Sequence, residues 1–178
     1  TLRAADQSAL KIQNNDFFIG DSQAPITIIE YASMSCSHCA DFHNVVLNEI
    51  KSEYIDTGKV RFVFRDFPFN YPALAGSMMM RCIPNEVRYD YMSALYKLQK
   101  SWVFRDNSKT KAELYKIMQS GGMTLDEFNK CLSDTNIEIG NIDFAGGKYT
   151  LPIIVTQSGT DKHGNPTTLT KTATLTLT

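Results

Sequence analysis

The chain lacks a dominant charge, a long apolar stretch and the common motifs of phosphate binding and serine catalysis. Its 18 Lys and Arg residues nearly balance its 19 Asp and Glu residues, for a net charge of -1. Electrostatics therefore favour neither a nucleic-acid binder nor a membrane-surface binder. No apolar run approaches the roughly 20 residues that a transmembrane helix needs. A Gly-rich phosphate loop, a serine-nucleophile elbow, internal repeats and low-complexity linkers are also missing.

Length and composition are typical of one compact domain. With 178 residues, of which 43% are hydrophobic, the chain can bury a substantial core, and about 100–200 residues per domain is usual. We therefore expect one domain that carries an insertion. No signal-peptide pattern begins at Thr1, so we expect either a mature exported chain or a cytosolic one.

Cys36 and Cys39 lie where a predicted strand meets a predicted helix. Residues 26–31 are rich in β-branched side chains and follow a proline, which is typical of a strand buried on both faces. Apolar residues then recur at every third or fourth position and predict a helix with Cys39 on its buried stripe. The stripe continues through Phe42, Val46, Ile50 and Tyr54. We therefore expect Cys36 at the helix start and Cys39 one turn later.

This position suits a redox-active cysteine pair. A thiol reacts as its thiolate, and the free amides at a helix N-terminus stabilise an anion on Cys36, to which His38 can add a charge or a donor. Cys39, the more buried of the two, can close a disulfide with Cys36 or resolve a mixed disulfide. Zinc ligands use the same spacing, but neighbouring His38 and Cys39 cannot easily face one ion on a regular helix. We therefore expect a two-electron switch and no metal.

Further patterns predict an α/β fold. Residues 17–20 form a candidate edge strand, and residues 60–67 form a second internal strand. A strand, a helix and a strand in this order form a βαβ unit with parallel strands. From residue 71 the period becomes helical, and Thr124 with Glu127 forms a capping box. Four helices are predicted, at residues 73–83, 85–102, 109–120 and 124–133.

Two further cysteines, Cys82 and Cys131, fall in the predicted helices. They could form a structural disulfide, or both could be small buried apolar side chains. The sequence alone leaves both readings open. A bonded pair would indicate an oxidising compartment and would tie two helices together.

Together these residues resemble the DsbA branch of the thioredoxin-fold thiol-disulfide oxidoreductases. Glu30 lies six residues before the motif Cys36-Ser37-His38-Cys39, the strand at 60–67 follows, and a helical insertion comes next. The stretches 15–21 and 65–68 look most like chains of the alphaproteobacterial, Rickettsiales type. The resemblance covers about residues 11–133.

The resemblance implies a thioredoxin fold at residues 11–68 and 145–178 with an inserted helical domain at 69–144. It implies a monomeric periplasmic dithiol oxidase without a cofactor or a nucleic-acid partner. Such an oxidase gives its disulfide to extended exported proteins and is reoxidised by a DsbB-like membrane quinone reductase. Because that compartment is oxidising, we expect Cys82 and Cys131 to be bonded. A disulfide isomerase or reductase with the same site is the alternative, and a metal-binding module that uses both motif cysteines, His38 and His43 is a weaker one.

Two polar residues near the motif are given roles by this comparison and by helix geometry. Glu30 in a buried strand is costly unless it is paired or relays protons to Cys39, and the resemblance favours the relay. His43, one turn beyond Cys39, is expected to be a partly exposed helix residue rather than a ligand.

The C-terminal part departs from the family pattern. DsbA-like chains place a cis-proline against the active cysteines and then add two strands and a closing helix. Leu151-Pro152 opens an apolar strand and is the favoured match, with Pro166 as the competitor. An X-Pro bond adopts the cis form at modest cost. The expected substrate contacts are Ser37, Leu151 and Pro152. Residues 167–178 alternate like a strand, with no closing helix.

Overall fold

A computed structural model of the chain describes residues 12–135 and 137, and it describes residues 149–160 and 166–177 by their backbone alone. The strands are β1 Phe17–Ile19, β2 Ile26–Ala32, β3 Val60–Asp66, β4 Tyr149–Thr160 and β5 Pro166–Leu177. The α-helices are α1 Ser37–Asp41, α2 Leu47–Ile50, α3 Tyr71–Cys82, α4 Asn85–Lys97, α5 Gln99–Trp102, α6 Asn107–Ser120 and α7 Leu125–Ser133. Two π-helical segments, Phe42–Val46 and Lys51–Ile55, follow α1 and α2.

The strands form one sheet in the order β1-β3-β2-β4-β5. The predicted edge strand is β1, which runs antiparallel to β3, and β2 and β3 are neighbours, as a βαβ unit requires. β4 runs antiparallel to both β2 and β5. The prediction that β2 is buried on both faces was wrong in part, since residues 26–28 and Tyr31 are only half-buried, whereas Ile29, Glu30 and Ala32 are buried.

A buried ion pair ties the segment before β1 to β3. Arg65 on β3 donates from Nε and Nη2 to the carboxylate of Asp16, and the shorter of these contacts is 2.7 Å. The side chains of Arg65 and Asp16 are only 8% and 4% exposed. Arg65 also donates from Nη1 to the hydroxyl of Tyr31 on β2, at 2.8 Å. A charge removed from water requires such partners, so this arrangement fixes β1 at its place on the sheet edge.

The predicted helices are confirmed, with one break. The helix expected at 85–102 divides at Leu98 into α4 and α5. Side chains cap the helix starts as local sequence requires: Asn70 accepts from the Ala73 N–H, and Thr124 and Glu127 form the predicted capping box. The fully buried side chains of the helices α4 to α7 include Tyr96, Trp102, Leu114, Met118 and Phe128.

By compactness the chain divides into two units. One comprises Thr1–Tyr31, Ile50–Arg65 and Ala145–Thr178, and the other comprises Ala32–Glu49 and Asp66–Phe144. The second unit thus contains the segment expected at 69–144 and, in addition, residues 32–49 with both motif cysteines. Within the described ranges, every helix is too short or too polar to cross a membrane.

Candidate active site

Cys36 occupies the N-cap position of α1 and has extended backbone angles, φ -81° and ψ 121°. Its sulfur accepts a hydrogen bond from the backbone N–H of Cys39 at 3.4 Å. The Cys36 N–H donates to the Ser33 carbonyl, and the Cys36 carbonyl accepts from the Ala40 N–H, both at 3.1 Å. The predicted helix start at Cys36, with Cys39 one turn later, is therefore confirmed. An N-cap side chain faces the free N–H groups of the first turn, which is where an anion is stabilised.

Cys36 and Cys39 are present as two thiols, and both are buried. Their exposed fractions are 6% and 5%. The expectation that Cys39 is the more buried of the two agrees with these values by only one percentage point, so the two residues are buried almost equally. The N-cap position explains this, because it turns the Cys36 side chain back over the first helical turn and toward Cys39.

The pKa of Cys36 is lowered to about 6, well below the ordinary cysteine value of about 8.5. The largest cause is a hydrogen bond from the Cys39 side chain to the thiolate. Burial acts in the opposite direction, since it disfavours a charged sulfur. The backbone N–H groups of Cys39 and His38 and, last, the charge of His38 lower the pKa further. His38 itself is exposed. The arrangement therefore stabilises a thiolate on Cys36 despite its burial.

The helix that carries the motif does not keep a regular period. In the π-helical segments the Leu47 N–H donates to the Phe42 carbonyl and the Asp56 N–H to the Lys51 carbonyl. Each such i→i+5 turn adds a residue and rotates the buried face. The predicted stripe was therefore wrong beyond Cys39, because Val46 and Tyr54 are each 44% exposed. The buried side chains of this face are Cys39, His43, Leu47 and Ile55.

The burial of His43 was not predicted either. The prediction of a partly exposed side chain was wrong, because His43 is only 5% exposed. Its ring stacks on the Tyr96 ring of α4 with 4.1 Å between centroids. Helical periodicity does signal the burial of His43, since it lies four residues after the buried Cys39. The contact with Tyr96 depends on α4 and has no local signal.

Two side chains, those of Asn70 and Gln99, form hydrogen bonds to residues 34–36 that sequence reasoning missed. Ser35 donates from Oγ to Asn70 Oδ1 at 3.0 Å. Gln99 donates from Nε2 to the carbonyls of Met34 and Cys36, at 3.0 Å and 2.9 Å. These partners lie 35 to 65 residues apart in sequence, and no local spacing signals them.

Cys82 at the end of α3 and Cys131 in α7 form a disulfide. Their Cα atoms lie 6.2 Å apart and they are 49 residues apart in sequence. The bond joins two helices of the second unit, as the compartment implied by the family resemblance led us to expect.

The remaining expected site residues are placed only in part. Glu30 on β2 is 8% exposed, and Ser37 is an exposed residue at the start of α1. The side chains of Leu151 and Pro152 on β4 and of Pro166 on β5 lie outside the described residues. Their assignments, and the proton-relay role of Glu30, stay predictions. Among the described residues, no three His, Cys, Asp or Glu side chains cluster so that they could hold a metal ion.

Comparison with known proteins identifies the family. A family model described as thioredoxin matches residues 13–139. The chain belongs to the thioredoxin family. The matched span holds both motif cysteines, the disulfide and the helices α1 to α7.

Within the thioredoxin family the similarity is to DsbA-like proteins, as the sequence indicated. A Rickettsia bellii protein named as a protein-disulfide oxidoreductase is 35% identical over 138 residues, which are 75% of this chain and 52% of that protein. The crystal structure of Wolbachia pipientis alpha-DsbA1 matches with a TM-score of 0.68 and 36% identity, over 74% of this chain and 66% of that one. The predicted thioredoxin fold with a helical insertion is thus confirmed. The chain spans about half the length of the curated relatives it matches.

A more distant structure shows the same fold. A protein-disulfide isomerase from Novosphingobium aromaticivorans has a TM-score of 0.61 at 18% identity, covering 67% of this chain and 71% of that one. A sequence identity of 18% supports a shared fold and no statement about activity. The thioredoxin fold is therefore shared by chains with different names for their activity, and the activity must be argued from the site.

Proposed function

We propose that the protein is a thiol-disulfide oxidoreductase that acts as a dithiol oxidase and introduces disulfide bonds into exported proteins through Cys36 and Cys39. The observation that carries this proposal is the position of the Cys36 sulfur at the N-cap of α1, where it accepts from the Cys39 N–H at 3.4 Å and where its pKa is lowered to about 6. At neutral pH most of the reduced protein then holds a Cys36 thiolate. A stabilised thiolate favours the reduced form, which makes the oxidised form the stronger oxidant.

The proposed reaction begins with the oxidised Cys36–Cys39 pair. A substrate thiolate attacks the Cys36 sulfur, a mixed disulfide forms, and the Cys39 sulfur leaves with the electron pair and takes up a proton. A second substrate thiolate attacks the substrate sulfur of the mixed disulfide, and Cys36 leaves as a thiolate. The substrate loses two electrons and two protons, and the protein gains the two electrons. The Cys39 N–H, 3.4 Å from the Cys36 sulfur, and His38 stabilise the departing anion.

The other site residues serve substrate and proton transfer in this proposal. Glu30, buried on β2, relays protons to and from Cys39. Ser37, Leu151 and Pro152 contact an extended substrate segment, which pairs through its backbone as in strand addition. Replacing Pro152 with alanine should slow substrate release and trap mixed disulfides on Cys36.

The proposed compartment is the periplasm, and the proposed oxidant of the reduced protein is a DsbB-like membrane quinone reductase. The disulfide between Cys82 and Cys131 supports an oxidising compartment, because cytosolic thiols are kept reduced. The protein is proposed to act as a monomer, which light scattering of the purified chain tests directly.

The decisive experiment is the equilibrium of the Cys36–Cys39 pair with glutathione. An oxidase requires a potential well above the roughly -270 mV of thioredoxin, whereas a value near that figure supports the reductase alternative. The companion assay is oxidation of a reduced dithiol peptide. Cys36→Ala and Cys39→Ala should each abolish it, because neither variant can hold the Cys36–Cys39 disulfide. When the peptide is supplied in its disulfide form instead, the Cys36 thiolate of Cys39→Ala should attack it and remain as a mixed disulfide. Refolding of a protein with scrambled disulfides distinguishes an isomerase, which would accelerate that refolding more than it oxidises the peptide.

A further inference from the structure

The side-chain amide of Gln99, the first residue of α5, reaches the turn that leads into α1. Gln99 is 7% exposed, and its Nε2 lies 3.0 Å from the Met34 carbonyl oxygen and 2.9 Å from the Cys36 carbonyl oxygen. A glutamine NH2 group has two protons, so each carbonyl can receive one of them. One side chain therefore holds both ends of the three-residue turn Met34–Cys36.

The two carbonyls have little access to water. Met34 is 3% exposed and Cys36 is 6% exposed. A buried carbonyl that loses its donor costs roughly 1–3 kcal/mol, so the turn depends on the protein for these hydrogen bonds. The Cys36 carbonyl also accepts from the Ala40 N–H at 3.1 Å. Gln99 thus donates to the same oxygen that begins the helical hydrogen bonds of α1.

This placement bears on the sulfur. The Cys36 side chain accepts from the Cys39 N–H at 3.4 Å, an ordinary distance for a bond to sulfur, and its geometry depends on the orientation of the Cys36 backbone. The Met34 side chain is also held by packing, because it lies against Gly76 of α3. The packing is so close that a Cβ on Gly76 would lie 2.9 Å from the Met34 Cβ. The turn therefore has few ways to relax except through loss of the Gln99 contacts.

We propose that Gln99 is a positioning residue for thiol-disulfide exchange, which holds the Met34–Cys36 turn so that the Cys36 sulfur stays within reach of the Cys39 amide. The proposal rests on the proposed function for its consequence in catalysis. Gln99 donates to carbonyl groups and not to the sulfur, so it acts through the backbone of Cys36. The lowered pKa of Cys36 agrees with this, since hydrogen bonds from Cys39 and from the backbone contribute to it.

The test replaces Gln99 with methionine, which has a similar length but no donor. Thiolate absorbance of the reduced protein should show the Cys36 pKa rising by about one unit, which is a tenfold weaker acid. The equilibrium constant with glutathione should then move about fivefold to tenfold toward the oxidised protein at pH 7 to 8, because the reduced form loses thiolate stabilisation. Gln99→Glu should raise the pKa further, because its carboxylate has no donor and carries a like charge.

Thr110→Val supplies the matched control. Thr110 is fully buried in α6, and its hydroxyl accepts from the Phe104 N–H and donates to the Phe104 carbonyl, each at 3.1 Å. This variant also removes a buried side-chain-to-backbone bond, so it should lower the unfolding midpoint without moving the Cys36 pKa. If Gln99→Met lowers the midpoint but leaves the pKa unchanged, Gln99 only packs the interior and the proposal is overturned.

A measurement on the unaltered chain decides the matter if Gln99→Met does not fold. The two Gln99 side-chain amide protons should exchange with solvent much more slowly than those of exposed glutamines, and their NMR shifts should change when Cys36 and Cys39 are oxidised. Fast exchange and unchanged shifts would overturn the proposal. Failure of the proposed function is a separate result: a wild-type chain that does not oxidise a dithiol peptide refutes the oxidase, while the pKa comparison still decides the role of Gln99.

Discussion

The thiolate on Cys36 should make the stability of the reduced protein depend on pH. The pKa of Cys36 is about 6 in the folded chain and should return to about 8.5 on unfolding. A folded-state pKa that is depressed stabilises the folded state at pH above the unfolded value. That contribution is lost as the pH falls through the folded value. The window is therefore about pH 8.5 down to about pH 6.

The size of the effect follows from the difference between the two pKa values. Each unit is worth about 1.36 kcal/mol, so a difference of about 2.5 units gives roughly 3 kcal/mol above pH 8.5. At pH 7 the unfolded thiol is still protonated and the folded thiol is mostly ionised, which leaves about 1.4 kcal/mol. The oxidised protein has no titrating thiol at Cys36, so it should lack this term. The reduced form should thus gain stability over the oxidised form as the pH rises.

The assay is urea unfolding of the reduced protein at several pH values, with Cys36→Ala as the control. Other groups titrate in the same range, so the free energy of unfolding of the variant is subtracted from that of the wild type at each pH. Mass spectrometry verifies that the mild reductant leaves Cys82–Cys131 bonded. The difference should rise by about 3 kcal/mol between pH 5.5 and 9. Two parallel curves would refute the reasoning, because they would mean that Cys36 has the same pKa in the folded and the unfolded chain.

Three further substitutions test the frame around the site. Replacing Cys82 and Cys131 together with alanine opens a loop of 49 residues and should lower the free energy of unfolding by up to about 4 kcal/mol; a loss below about 1 kcal/mol in urea would contradict this. Gly76→Ala would set a Cβ 2.9 Å from the Met34 Cβ and 3.0 Å from the Trp102 ring. Overpacking should therefore outweigh the better helix propensity of alanine and lower the free energy of unfolding by about 1–2 kcal/mol. A rise in melting temperature would show that the Met34 and Trp102 side chains move aside at no cost. Asp16→Asn removes one partner of a buried pair and should cost about 3–5 kcal/mol; an unchanged urea midpoint would show that the pair contributes little.

Local patterns predicted the parts of the fold that depend on local chemistry. The capping box at Thr124 places the start of α7 at Leu125, one residue after the predicted start, because the bonds that define it lie within four residues. The junction of β2 with α1 was equally predictable, since a β-branched run and a helical period meet at Cys36. The redox chemistry of the cysteine pair can be predicted from that junction alone, without knowledge of any residue far along the chain.

Contacts between distant segments were beyond sequence reasoning. A period of 3.6 residues was assumed for the helix after Cys36, and the π turn at Phe42–Val46 displaced the buried face from Val46 to Leu47. The ring that stacks on His43 belongs to Tyr96, far along the chain. The side chains of Asn70 and Gln99 reach the turn from helices far along the chain, and glutamine or asparagine at such positions carries no spacing signal.

The nucleophile of the site can therefore be identified from the local sequence, whereas the geometry around it depends on residues far along the chain. Asn70 shows how the two are joined, because one oxygen, Oδ1, caps α3 by accepting from the Ala73 N–H at 2.9 Å and also accepts from the Ser35 hydroxyl at 3.0 Å. A helix cap is a requirement of α3 alone, and Ser35 belongs to the turn before Cys36. Since both bonds end on the same atom, the start of α3 and the turn cannot shift independently. The start of α3 thus helps to fix the backbone on which the Cys36 thiolate depends, so residues without redox chemistry belong to this candidate site.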